Sequence, residues 1–92
     1  MAQYSVTEAQ KLSATSTAQC ATFEGGIQRV YISADADVYI SFDEQTPTVA
    51  GNALLVKANL IPTEINFEGG NVHKVWAITS TSANVYLLGV RR

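Results

Sequence analysis

A four-residue sequence that occurs twice constrains the fold of this chain more than any other feature. Phe-Glu-Gly-Gly stands at residues 23–26 and again at residues 67–70. Each copy is followed by two short segments in which apolar and polar residues alternate, the period of a β-strand with one buried face. Matched strands and turns in a fixed order indicate an internal repeat, although two copies are too few for a solenoid. We therefore predict two similar three-stranded meanders that face each other across one core.

The clearest strand pair in the first copy spans residues 29–33 and 37–42, where Val and Ile alternate with polar and aromatic residues. A hairpin between these segments would bury the Val and Ile side chains on one face. It would place Tyr31 opposite Tyr39 on the other face, where cross-strand aromatic pairs stabilise a sheet. The two glycines of each repeat are expected to supply turn positions with positive φ.

About eight short antiparallel segments of this kind, separated by polar turns, predict an all-β fold. We expect a single-domain β-sandwich or jelly roll over residues 18–92, because a chain of 92 residues has the length of one domain. Residues 1–17 show no sustained apolar period and are predicted to form a flexible N-terminal arm. Two interpretations of this arm stay open: ordering on contact with a neighbouring molecule, or fraying.

Composition narrows the function classes. Charged residues make up only 15% of the chain and the net charge is −2, so no basic stripe is present that could bind a nucleic-acid backbone. No apolar run approaches the roughly 18 residues needed to span a bilayer, and we expect no membrane partner. A surface rich in Ser and Thr can be buried against another protein at low desolvation cost. It suits a subunit of an assembly, and it suits an extracellular domain equally well.

Acidic residues offer one candidate metal site. Asp35 and Asp37, with Asp43 and Glu44 nearby, could supply oxygen ligands for calcium. No twelve-residue EF-hand loop accompanies them, and two Asp residues at a hairpin tip are typical of a solvated turn. We predict neither a metal nor a cofactor.

Candidate catalytic residues lack the surrounding motifs that their chemistry needs. His73 is the only histidine and Cys20 the only cysteine, and no nucleophile elbow or oxyanion sequence accompanies either. Glu24 and Glu68 recur beside the paired glycines, which favours exposure at a sheet edge over the raised pKa of a glycosidase acid. The chain is therefore not expected to be an enzyme, and a small hydrolase that uses His73 is the outlying alternative.

The exposed aromatic residues point to binding. Tyr31, Tyr39, Trp76 and Tyr86 all occupy the outward positions of the predicted strands. Protein contact and carbohydrate stacking both use such residues. Protein contact is favoured because Trp and Tyr are enriched among the residues that dominate protein interfaces.

Several segments together resemble the small virion proteins of tailed bacteriophages. The segments are Val-Tyr-Ile-Ser-Phe-Asp at residues 38–43, a Thr-Pro-Thr linker, Leu-Leu-Val at residues 54–56, and Val-Trp-Ala-Ile at residues 75–78 after a Gly-Gly turn. Such proteins are encoded beside the major capsid protein and include capsid decoration, or cement, proteins. The resemblance covers residues 19–90.

This resemblance implies a compact sandwich or jelly roll on the capsid exterior, made in the host cytoplasm and often present as a homotrimer. The implied partners are the major capsid protein or other virion proteins. The alternatives are a neck, tail or head-fibre subunit, or a carbohydrate-binding module that uses Trp76 and Tyr86 as a stacking platform. The residues predicted to contact a partner are Tyr4, Val6, Tyr31, Tyr39, Trp76, Tyr86, Arg91 and Arg92.

Overall fold

The computed structural model describes residues 6–49, 51, 53–59, 61–68 and 71–91. These residues form eight β-strands: β1 Val6–Ala14, β2 Gln19–Ile27, β3 Arg29–Ala34, β4 Val38–Phe42, β5 Leu54–Val56, β6 Thr63–Asn66, β7 Val72–Ile78 and β8 Ala83–Arg91. The described part of the chain contains no helix that could cross a membrane. The predicted all-β fold of eight strands is confirmed.

The strands form two four-stranded antiparallel sheets packed face to face, which confirms the predicted sandwich. Sheet 1 has the order β1-β8-β3-β6, and sheet 2 has the order β2-β7-β4-β5. The inward-facing residues of both sheets meet in one apolar core. The largest side chains buried there without solvent exposure are Phe23, Ile27, Ile32, Ile40, Val30, Val38, Val75 and Val85.

The predicted meanders are wrong, because the middle and last strands of each copy lie in different sheets. β3 pairs with β6 and β8, whereas β4 pairs with β5 and β7. The chain leaves β3 at Asp35, whose backbone N–H donates to the Asn84 carbonyl at 3.2 Å. The Asp35 carboxylate accepts in turn from the Asn84 backbone N–H at 2.8 Å. These bonds hold Asp35 on β8, so the short connection crosses the core instead of closing a hairpin.

The internal repeat is nevertheless present, and it extends over four strands in each copy. Exchanging β1 with β5, β2 with β6, β3 with β7 and β4 with β8 converts the strand order of sheet 1 into that of sheet 2. The register follows the same exchange. Ile32 lies opposite Leu87 in sheet 1, and the equivalent residues Ala77 and Ile40 lie opposite each other in sheet 2.

This exchange interleaves the two copies. Each of the six strand pairings in the described chain joins one strand of β1–β4 to one strand of β5–β8. The sandwich is therefore not two halves placed side by side. Every ladder depends on both copies.

The first Gly-Gly pair has the predicted backbone conformation in a different setting. Gly25 and Gly26 both have φ of 82°, a region that residues with a side chain adopt rarely. They lie inside β2, where the pairing with β7 is irregular between Thr22 and Ile27. They therefore bend one strand and do not close a hairpin. The second pair, Gly69-Gly70, lies outside the described residues.

Residues 6–14 belong to the sandwich and not to a flexible arm. β1 pairs with β8 over nine consecutive positions, from Val6 opposite Arg91 to Ala14 opposite Ala83. Leu12 and Ala14 are buried in the core. The predicted boundary at residue 17 is therefore misplaced, since the strand at one edge of sheet 1 precedes it. An edge strand pairs on one side only, which explains why a mostly polar sequence suffices.

One glycine of β8 makes room for the core. Gly89 is buried and faces inward, and a Cβ atom built on it would lie 2.7 Å from Ile27 Cγ2 and 2.8 Å from Phe23 Cε1. Real Cβ atoms do not approach other heavy atoms so closely. Phe23 and Ile27 therefore fill the space that a side chain at position 89 would occupy.

Candidate protein-binding face

The four aromatic residues predicted to form one binding surface lie on two opposite faces of the sandwich. Tyr31 and Tyr86 point outward from sheet 1, whereas Tyr39 and Trp76 belong to sheet 2. The predicted Tyr31–Tyr39 pair is therefore wrong, because β3 and β4 are not neighbours. A stacking platform built from Trp76 and Tyr86 is excluded for the same reason: a sugar cannot contact both sheets' outer faces at once.

A turn covers the Ser41 and Trp76 part of the outer face of sheet 2. The Trp76 indole N–H donates to the Asp43 carbonyl at 2.7 Å, which ties residues 43–45 to β7. The Asp43 carboxylate accepts from the backbone N–H of His73 at 2.8 Å. Ser41, on the same face, donates its hydroxyl to the Gln45 carbonyl and is only 4% exposed. Trp76 thus anchors a turn through its indole N–H.

The outer face of sheet 1 is apolar, and no turn among the described residues covers it. Tyr86 is 50% exposed and Leu88 is 38% exposed. Together with Ala9, Tyr31 and Pro62 they line an open groove of about 440 Å³. We call this surface the apolar face. Large hydrophobic side chains with this exposure on a small domain are typical of a contact surface.

The internal repeat allows equivalent positions on the outer faces of the two sheets to be compared. Leu88 lies opposite Tyr31 in sheet 1, and its counterpart Ser41 lies opposite Trp76 in sheet 2. At the sheet 2 position a small polar residue is covered by the chain's own turn. At the sheet 1 position Leu88 is exposed to solvent. No described residue covers Leu88 in the way that Gln45 covers Ser41. Among the described residues, Ser41 of this equivalent pair is covered by the chain and Leu88 is not.

Sequence reasoning missed Leu88, although a signal for it exists. Leu87 and Leu88 are adjacent in β8, and adjacent residues of a strand face opposite sides. One of the two must therefore face outward. Leu87 is buried in the core, and Leu88 is the exposed one.

Arg91, another predicted contact residue, does not belong to this face. The Arg91 guanidinium donates to the Glu24 carbonyl at 2.9 Å and lies 3.6 Å from the Glu8 carboxylate, so it links β8 to β2 and β1. Val6 pairs with Arg91 through the backbone. Tyr4 and Arg92 lie outside the described residues.

Asp35 and Asp37 of the predicted turn accept hydrogen bonds from residues distant in sequence. The Asp35 carboxylate accepts from both the backbone N–H and the side-chain amide of Asn84. The Asp37 carboxylate accepts from the Ala58 backbone N–H at 2.8 Å and lies 3.5 Å from the Lys57 ammonium. Within the described residues, no three His, Cys, Asp or Glu side chains cluster as metal ligands.

Cys20 and His73 are not brought together as a nucleophile and base. Cys20 lies opposite Trp76 in the register of β2 and β7, three residues along β7 from His73. Three residues of a strand span about 10 Å, which is too far for a hydrogen bond between the two side chains. Glu24 and Glu68 are both exposed, as predicted.

A pH dependence follows from the two aspartates. Hydrogen bonds from Asn84 lower the pKa of Asp35 below its ordinary value of 3.8, and the bond from the Ala58 N–H lowers that of Asp37. A lowered folded-state pKa favours the fold above the unfolded pKa, and this stabilisation is lost as pH falls below about 4. We expect the urea midpoint to fall less between pH 7 and pH 3 in the Asp35→Asn/Asp37→Asn protein than in the wild type. An equal fall in both proteins would contradict this assignment.

Comparison with protein-family models, with curated proteins and with solved structures finds no match to this chain.

Proposed function

We propose that this chain is a structural virion protein of a tailed bacteriophage, a capsid decoration or cement protein that binds the capsid exterior and stabilises it. The observation that supports this most is the apolar face, an exposed sheet surface that no turn in the described part of a small and weakly charged sandwich covers. A protein that works by contact alone needs such a surface, either toward the capsid or toward its own copies. The sequence resemblance to phage virion proteins supplies the context.

The mechanism is additive binding. A decoration protein is present in many copies, and each copy adds a small free energy of contact to a lattice that already exists. Linked copies bind more tightly than single ones, because the second contact is made at a high effective concentration. A surface with few charges helps, since few ions must be stripped of water when it is buried. The free energy per contact can therefore be small while the gain per capsid is large.

The test uses virions of the phage that encodes the chain. We expect mass spectrometry of gradient-purified virions to find this protein at a fixed molar ratio to the major capsid protein. Gold-labelled antibodies should mark the capsid exterior. Labelling of the neck, tail or head fibre would reassign it to another virion structure, and its absence from purified virions would overturn the virion role.

Deleting the gene tests the stabilising role separately. Capsids that lack the protein should assemble but release DNA at a lower temperature than wild-type capsids, because the added lattice contacts are missing. Supplying the purified protein to such capsids should restore the wild-type release temperature. Equal release temperatures with and without the protein would contradict a cement function.

A further inference from the structure

Charged residues of opposite sign flank the apolar face on its two sides. Lys11 on β1 is exposed, and its ammonium lies 5.8 Å from the centroid of the Tyr86 ring. Glu64 on β6, at the other edge of sheet 1, has a side chain that is 47% exposed. Its only described ion pair is a long one, 3.9 Å from Arg29. The face therefore has an apolar centre, a positive edge and a negative edge.

We propose that the apolar face binds the same face of a second copy of this chain, with a two-fold axis parallel to the strands. Such an axis lays β1 of one copy over β6 of the other, and β8 over β3. It is the one arrangement that brings each positive edge over a negative edge, and it does so twice. The inference goes beyond the virion role and does not depend on it.

The register of sheet 1 gives the contacts of this dimer. Ala9, Leu88, Tyr31 and Glu64 lie side by side in one row across the four strands. The second copy is generated by a 180° rotation about an axis that runs between β8 and β3. This rotation places Leu88 of one copy against Tyr31 of the other. Lys11, one row away, then reaches Glu64 of the second copy. The two apolar contacts lie at the centre, where water is excluded, and the two ion pairs lie at the rim.

The competing two-fold axis is disfavoured by charge. An axis across the strands would place β1 over β1 and β6 over β6. The Lys11 ammonium groups of both copies would then lie at one edge of the interface, and both Glu64 carboxylates would lie at the other edge. Like charges close together oppose association. The axis parallel to the strands has no such pair among Lys11 and Glu64, and Arg29 faces Val90 of the second copy.

The size of the face sets the expected strength. Four strands about 4.8 Å apart and six residues of about 3.3 Å each give a footprint of roughly 400 Å² per copy. The pair would bury roughly twice that, which is less than the approximately 1,200–2,000 Å² of stable interfaces. We therefore expect a reversible dimer whose population rises with concentration. This is a different assembly from the homotrimer that the sequence resemblance implies.

Sedimentation equilibrium of the full chain, from about 1 μM to about 1 mM, tests the proposal. The wild type should shift from monomer to dimer. Leu88→Lys should raise the dissociation constant at least about tenfold, since it puts a charge at the centre of the interface. The matched control is Leu55→Lys, because Leu55 is 45% exposed on the outer face of sheet 2. This control should dimerise like the wild type, and circular dichroism should show both variants folded.

Charge exchange tests the axis itself. Lys11→Glu and Glu64→Lys should each weaken the dimer about two- to fivefold, and the double variant should return to within about twofold of the wild type. A dimer without this rescue would overturn the proposed axis. A monomer at every concentration, a trimer, or a dimer lost in Leu55→Lys but kept in Leu88→Lys would overturn the proposed face. Each of these results leaves the presence of the protein in virions to be decided by mass spectrometry.

Discussion

Two fragments made by cutting the chain between Thr48 and Val49 are expected to be unfolded alone and to form the native sandwich when mixed. The cut falls in the connection between β4 and β5, where both residues are exposed. Every described strand pairing joins one fragment to the other. Neither fragment therefore keeps a hydrogen-bonded strand neighbour, and each would expose its apolar residues to water.

Far-UV circular dichroism measures this directly. Residues 1–48 and residues 49–92 should each give the spectrum of an unordered chain, and an equimolar mixture should recover the β-sheet spectrum of the uncut protein. The rate of recovery should rise with concentration, since folding then requires two molecules to meet. A native-like β spectrum from either fragment alone would contradict the interleaved pairing.

The largest effect of a single substitution is expected at Phe23. This ring has no solvent exposure and packs beside Gly89. Phe23→Ala should lower the free energy of unfolding by roughly 3–5 kcal/mol, because it removes a large apolar side chain and leaves a cavity. Gly89→Ala should lower it by about 1–3 kcal/mol, because the new Cβ meets Phe23 and Ile27. Either loss is large for a domain whose total stability is about 5–15 kcal/mol.

The two substitutions should not be additive. Once the Phe23 ring is gone, one of the two clashing side chains is absent and Ile27 can shift into the space it left, so Gly89→Ala should cost less in the Phe23→Ala protein than in the wild type. Urea unfolding of the four proteins of this cycle gives the coupling. Thr22→Ala is the control, since Thr22 is exposed beside Phe23 and its loss should change stability by less than about 0.5 kcal/mol. Additive losses would show that Phe23 and Gly89 do not share one space.

Period-two alternation was enough to predict the strands and the buried face of most of them. Val30, Ile32, Val38 and Ile40 are all buried, as the pattern indicates. Alternation determines which face a residue takes, but it carries no information about the neighbouring strand. The three residues between β3 and β4 have the length of a hairpin turn. Only the structure shows Asp35 bonded to Asn84, which is 49 residues away in sequence.

The sequence predicts that the candidate site contains exposed aromatic residues, but it does not predict which of them share a face. The sequence indicates exposed aromatic residues, and Tyr31 and Tyr86 do lie on the apolar face. Their separation from Tyr39 and Trp76 depends on the sheet to which each strand belongs, and that depends on contacts distant in sequence. The turn over Ser41 and Trp76 could not be predicted from the sequence either. It depends on a hydrogen bond from the Trp76 indole to the Asp43 carbonyl, 33 residues away.

Interleaving also governs what happens while the chain is being made. The ribosome releases β1 to β4 before any of their ladder partners exists, since those partners are β5 to β8. β1 must wait for β8, about 70 residues later, which takes several seconds at roughly 5–20 residues per second. During that interval the nascent strands have open edges and exposed apolar faces, which are the features that chaperones bind. The chain can complete its fold only when its last strand leaves the exit tunnel.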